Sequence, residues 1–101
     1  MILKTGVKLE GVKPEIVLAM NIVSRVMDIN KHSFIITSVT DGMHSPKSLH
    51  YKGLAFDMRT RDIAEDSLNG LVWVIKRHLK SNYDVVLESD HIHIEFDPKN
   101  T

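Results

Sequence analysis

An α+β fold, with a small antiparallel sheet packed against two main helices, is what three features of this 101-residue chain predict. Two segments repeat apolar residues at helical spacing, two more are short strand-like runs, and two apolar strands near the end flank a two-residue polar turn. The first helix runs from Pro14 to about Asp28. Ile16, Met20, Val23 and Met27 form its stripe, and proline sits in a first-turn position that needs no N–H. Ser33 to Val39 is rich in β-branched and aromatic residues and reads as a buried strand. Thr40 to Lys52 carries Asp41-Gly42 and Ser45-Pro46, the punctuation of a surface loop. From Gly53 to Thr60, Leu54, Phe56 and Met58 alternate with Gly53, Ala55 and Asp57. The apolar set belongs to the core, and the small residues either leave room before Asp57 or admit another backbone. Asp62 reads as the N-cap of a second helix with Glu65 three residues on, a stripe of Leu68, Leu71, Ile75 and Leu79, and an end near Ser81-Asn82. Tyr83–Glu88 and His91–Phe96 close the chain as a hairpin about Ser89-Asp90.

The length suits a single domain, residues 1–101, with a modest core that a bound metal would help to stabilise. Thirteen basic and thirteen acidic residues cancel, so no long-range positive field favours nucleic acid. The N-terminus lacks the apolar stretch of a secretory signal, and no apolar run is long enough to span a bilayer. The expectation is a product made soluble in the cytoplasm, with no membrane insertion.

With no cysteine in the chain, a thiolate-based zinc site is excluded, whereas imidazoles and carboxylates suit zinc well. A catalytic site holds the ion by three protein ligands and leaves the fourth position for water, a description that His50, Asp57 and His93 fill. If Ser89 and Asp90 are the central turn residues, Glu88 pairs with His91, Leu87 with Ile92 and Val86 with His93. Glu88, His91 and His93 then share a face, which favours Glu88 as general base. Asp90 competes, because a turn residue three positions before His93 can curl towards the metal. His91 is placed to stabilise an oxyanion. Arg59, two residues past Asp57, can orient that ligand or a substrate carboxylate, with a surface ion pair as the equal alternative.

The pattern Ser48-x-His50-x-x-Gly53-x-Ala55-x-Asp57, followed by an acid-rich segment ending in His91-Ile92-His93, resembles the zinc D-alanyl-D-alanine carboxypeptidase family. Phage peptidoglycan endopeptidases and the hedgehog signalling domain are relatives of that family. The first motif fits at every defined position, and the similarity extends from about Gly11 to Pro98. The resemblance implies a hedgehog-like fold, zinc held by His50, Asp57 and His93, and a catalytic acid just upstream of the last ligand. Acid-x-x-His spacing points to Asp90, while the hedgehog-like arrangement points to Glu88 and His91. Many members carry an arginine upstream of the first motif; the loop here offers His44 and Lys47, so His44, Ser48 and Arg59 become the candidate substrate-binding residues. The implied activity is hydrolysis of a peptide bond in the peptidoglycan stem, by a phage or prophage protein acting on the cell wall as an endolysin does. A rival reading is a zinc-stabilised binding module or phage structural component of the same fold that has lost turnover.

Overall fold

A computed structural model describes residues 1–98. Its elements are β1 (Ile2–Leu3), α1 (Pro14–Ile29), β2 (Ile35–Ser38), a 3-10 helix (Leu49–Lys52), β3 (Ala55–Arg59), a 3-10 turn (Glu65–Ser67), α2 (Leu68–Leu79), β4 (Tyr83–Leu87) and β5 (His91–Phe96). The five strands form one sheet in the order β1-β2-β3-β5-β4. The pairings β2–β3, β3–β5 and β4–β5 are antiparallel, and β1 adds in parallel to β2. The fold is therefore α+β with two helices, as the sequence predicts, and its sheet is mixed because of β1.

Both helical stripes face inward. Ile16, Met20, Val23 and Met27 of α1 and Leu71, Ile75 and Leu79 of α2 join Ile36, Phe56, Met58, Ile92 and Ile94 of the sheet in one hydrophobic core. Strand alternation sends the neighbours of those sheet residues to the opposite face, so Asp57, His91, His93 and Glu95 emerge together away from the helices. The hairpin register is the expected one: Val86 lies opposite His93 and Leu87 opposite Ile92, and the Glu88 N–H donates to the His91 carbonyl at 2.8 Å.

Two expectations need correction. Asp62 does not cap α2; its carboxylate accepts a 2.7 Å hydrogen bond from Arg59 Nε, and the chain makes a 3-10 turn before α2 begins at Leu68. Gly53 is not in the strand either. It ends the 3-10 helix in the left-handed region at φ 72°, and a Cβ there would lie 2.0 Å from the Gly11 carbonyl oxygen. Its smallness therefore serves backbone packing, not room before Asp57. No helix among the described residues is long and apolar enough to cross a membrane.

Candidate metal centre

Three elements deliver the central side chains. Asp57 and His93 are directly opposed on adjacent strands β3 and β5, so the pleat holds them on one face at a fixed separation. His50 comes from the 3-10 helix, whose first turn is capped by the Ser48 hydroxyl accepting from the His50 N–H at 3.2 Å. A register shift between Ile36 and Ser38 marks a β-bulge in β2 beside the site. Just beyond it, the Val39 carbonyl accepts a 2.7 Å hydrogen bond from His50 Nδ1.

Asp57 Oδ1 is the hub. It lies 3.1 Å from His50 Nε2, 2.9 Å from His93 Nδ1 and 3.9 Å from His91 Nε2. The outer partners assign the tautomers. His50 gives its Nδ1 proton to the Val39 carbonyl, and His93 Nε2 lies 2.7 Å from the Glu95 carboxylate, to which it donates. In neutral rings, His50 Nε2 and His93 Nδ1 are then bare lone pairs aimed at a carboxylate oxygen. Such a cluster needs two protons or one divalent cation to hold it together. Burial opposes the charge on Asp57, but hydrogen bonds from His50 and His93 outweigh it and keep the carboxyl well below the usual range. The Asp57 hydrogen bond raises His93 above an ordinary imidazole against the opposing effect of burial, and Glu95 adds to the rise.

The two donor pairs about Asp57 have the spacing of a metal site. A tetrahedral ion with bonds of about 2.0–2.1 Å sets its ligand atoms about 3.3 Å apart. The separations of 3.1 and 2.9 Å about Asp57 Oδ1 lie within a few tenths of an ångström of that. The group of three whose ligand atoms all lie close together contains His44 where the sequence reading has His93. His44, His50 and Asp57 each offer a ligand atom, all within 4.8 Å of one another, so this group could hold a metal ion. The His44 ring is stacked on His50, centroids 3.8 Å apart and planes 5° from parallel, and its Nε2 lies 2.9 Å from the Asp41 carbonyl and 3.1 Å from the Ser38 hydroxyl.

A cleft of about 630 Å³ opens over the cluster, bordered by His44, Ser48, His50, Asp57, Glu88, His91 and His93. The structure thus brings nearly all the predicted site residues to one surface. Glu88 is exposed, and its carboxylate has no partner among the described residues. Asp90 differs: Oδ1 accepts from His91 Nδ1 at 2.7 Å, which lowers its pKa. Asp90 therefore turns towards the histidine face, as its position three residues before His93 allows. Arg59 takes the ion-pair alternative, with Asp62. Two supporting groups escaped the sequence reading. Glu95 shares the face of His91 and His93 by simple alternation and could have been found that way; the Val39 carbonyl has no signature in side-chain identity.

No protein-family model matches this chain, and no curated protein matches it.

Proposed function

We propose that the protein is a zinc-dependent peptidase that hydrolyses a peptide bond in the stem of peptidoglycan. The observation that carries this reading is the approach of His50 Nε2 and of His93 Nδ1 to the same oxygen, Asp57 Oδ1, at the floor of an open cleft whose rim carries an unpaired carboxylate. Their lone pairs favour His50, Asp57 and His93 as the ligand set. His44, stacked on His50 and close to Asp57, is the alternative third ligand in place of His93. Closed structural sites bind four protein ligands, whereas three ligands and an open side suit catalysis.

Zinc in this position would polarise a scissile carbonyl and bring the pKa of an attacking water to roughly 7. The protein's own groups do the rest. Glu88 accepts a proton from the attacking water and returns it to the departing amine. Asp90 fixes the His91 ring through Nδ1, leaving Nε2 to donate, when protonated, to the oxyanion that forms on attack. Val39 and Glu95 hold the ligand rings in their tautomers, the outer support that metal-binding histidines usually need. The resemblance of the Ser48-to-Asp57 and His91-to-His93 motifs to D-alanyl-D-alanine carboxypeptidases supports the substrate class.

The test is a digest of purified peptidoglycan with zinc-loaded protein, the released fragments identified by mass spectrometry. The expected result is cleavage of one stem-peptide bond that stops on chelation and is absent with His93→Ala. Stoichiometric zinc with no new fragment would overturn the hydrolytic reading in favour of a metal-stabilised binding module.

A further inference from the structure

The helices cover the sheet face opposite the metal centre, and where the end of α1 meets the first half of α2 they leave a hollow of about 430 Å³. A helix stop fixes its wall on the α1 side. The Lys31 N–H donates to the Asp28 carbonyl at 3.0 Å and the His32 N–H to the Met27 carbonyl at 2.8 Å, with Lys31 in the left-handed region at φ 61°. That turn sets Asn30 and His32 at the rim. Ser67, at the entry to α2, and Gly70 and Trp73 within it complete the border.

Trp73 is the chain's single tryptophan, and the core does not account for it, since 59% of its surface is exposed. The Arg77 guanidinium sits over the indole, 4.8 Å from the ring centroid, yet it does not border the hollow. It therefore covers one face of the ring and leaves the other to the hollow. Gly70 lies one turn earlier on the same side of α2. Glycine within a helix costs stability relative to alanine, and here neither a positive φ nor a close neighbour requires it: a Cβ would meet nothing within 4 Å. What the missing side chain provides is open space beside the indole.

No Asp, Glu, Lys or Arg borders this space, so it fits an uncharged ligand. Its polar groups are unspent. The Asn30 amide nitrogen donates to the Val26 carbonyl at 2.7 Å, leaving the amide oxygen to accept. The Ser67 hydroxyl, the His32 ring and the Trp73 indole N–H make no hydrogen bond among the described residues. A flat apolar surface ringed by neutral donors and acceptors is the complement of a pyranose ring, which has C–H bonds on its face and hydroxyls around its edge. We propose that the hollow is a binding site for an uncharged sugar ring, stacked on Trp73 over Gly70, with its hydroxyls bonded to Asn30, His32 and Ser67. The site stands apart from the metal centre and does not rest on the hydrolytic reading. It attaches the protein to a glycan by one face and leaves the metal centre free on the other.

Because Trp73 is the single tryptophan, its fluorescence and its indole N–H resonance report on this hollow alone. A tetramer of N-acetylglucosamine and a tetramer of glucose with the same linkage are titrated into the full chain. The expected result is a saturable change in both signals. A response to the N-acetylglucosamine tetramer alone upholds the site and assigns it to an amino-sugar glycan, and a response to both upholds a site that reads the ring alone. Gly70→Gln, which fills the hollow and keeps the tryptophan, should lower affinity about tenfold or more, the size of one anchoring contact. Trp73→Ala, followed through backbone resonances, should do the same, and a chelator should change nothing. Both positions are exposed, so the variants keep their fold. No response to either sugar at about 10 mM, enough to fill even a millimolar site, overturns the proposal. So does parental affinity in Gly70→Gln and Trp73→Ala, or a response that vanishes with the chelator, which would place the sugar at the metal centre.

Discussion

Asp57 organises the site, because one carboxylate oxygen faces two imidazole nitrogens whose opposite edges are committed to Val39 and Glu95. This fixes the sign of the pH response. The lowered Asp57 pKa gives stability that is complete above the ordinary carboxylate range and is lost as pH falls through the folded value. The raised His93 pKa gives stability that is complete below about 6.5 and is lost as pH rises through the folded value. Metal-free protein should therefore lose thermal stability as pH rises above about 6.5, while the increment from added zinc grows over the same interval as His93 sheds its proton. Melting curves in chelator and in zinc check this; a metal-free Tm that climbs through that interval would contradict it. The acids differ in their partners. Glu88→Gln should keep zinc and lose about 100- to 10,000-fold in hydrolysis, whereas Asp90→Asn, which loosens His91 and leaves the base in place, should lose less. Steady-state rates on a stem peptide decide the order, and the reverse ranking would make Asp90 the base. Of these residues, the Glu88–His91 pairing and the shared face of His91 and His93 were legible from strand period, whereas the nearness of His50 to Asp57 depends on the 3-10 helix, which spacing alone does not encode. The Asp90–His91 bond was not legible either, because turn side chains follow local torsions that alternation does not encode.

At the scale of elements, the 3-10 helix matters most, since it carries His50 over the sheet face. Its exit depends on Gly53, with a positive φ and the Gly11 carbonyl where a Cβ would sit. Gly53→Ala should lower stability by at least about 1–3 kcal/mol, the usual cost of a strained backbone position, and should weaken zinc binding by displacing His50. Gly70 is the control: it lies within α2 with open space around it, so Gly70→Ala should stabilise by roughly 0.5–1 kcal/mol. Urea unfolding of both variants tests the pair, and equal effects would mean that Gly53 is not under constraint. Helix α1 and strands β2 to β5 were readable because apolar period and core burial coincide. The start of α2 was misread because Arg59, three residues earlier, claims the Asp62 carboxylate. Strand β1 gave no signal: two exposed apolar residues have too little pattern to register.

In the whole molecule, the helices and the apolar sheet face form the core, and the opposite face presents the donors. A chain of this size has a small stability margin, so an ion that joins the loop between β2 and β3 to two strands should act on the entire fold. At a free zinc concentration about 100-fold above Kd, linkage supplies about 2.7 kcal/mol, which corresponds to a rise in Tm of roughly 10–20 °C for a domain of about 100 residues. A calorimetric scan with and without zinc measures it, and an unchanged Tm at saturation would mean that the cluster does not bind the ion in the folded state. Metal content reports on the ligand set itself. Parent protein and His93→Ala are refolded with zinc, dialysed against metal-free buffer and measured by mass spectrometry for zinc per chain. One zinc per parent chain and little in His93→Ala is the expected result; a parent without stoichiometric zinc, or a variant that holds as much as the parent, would rule out His93 as a ligand.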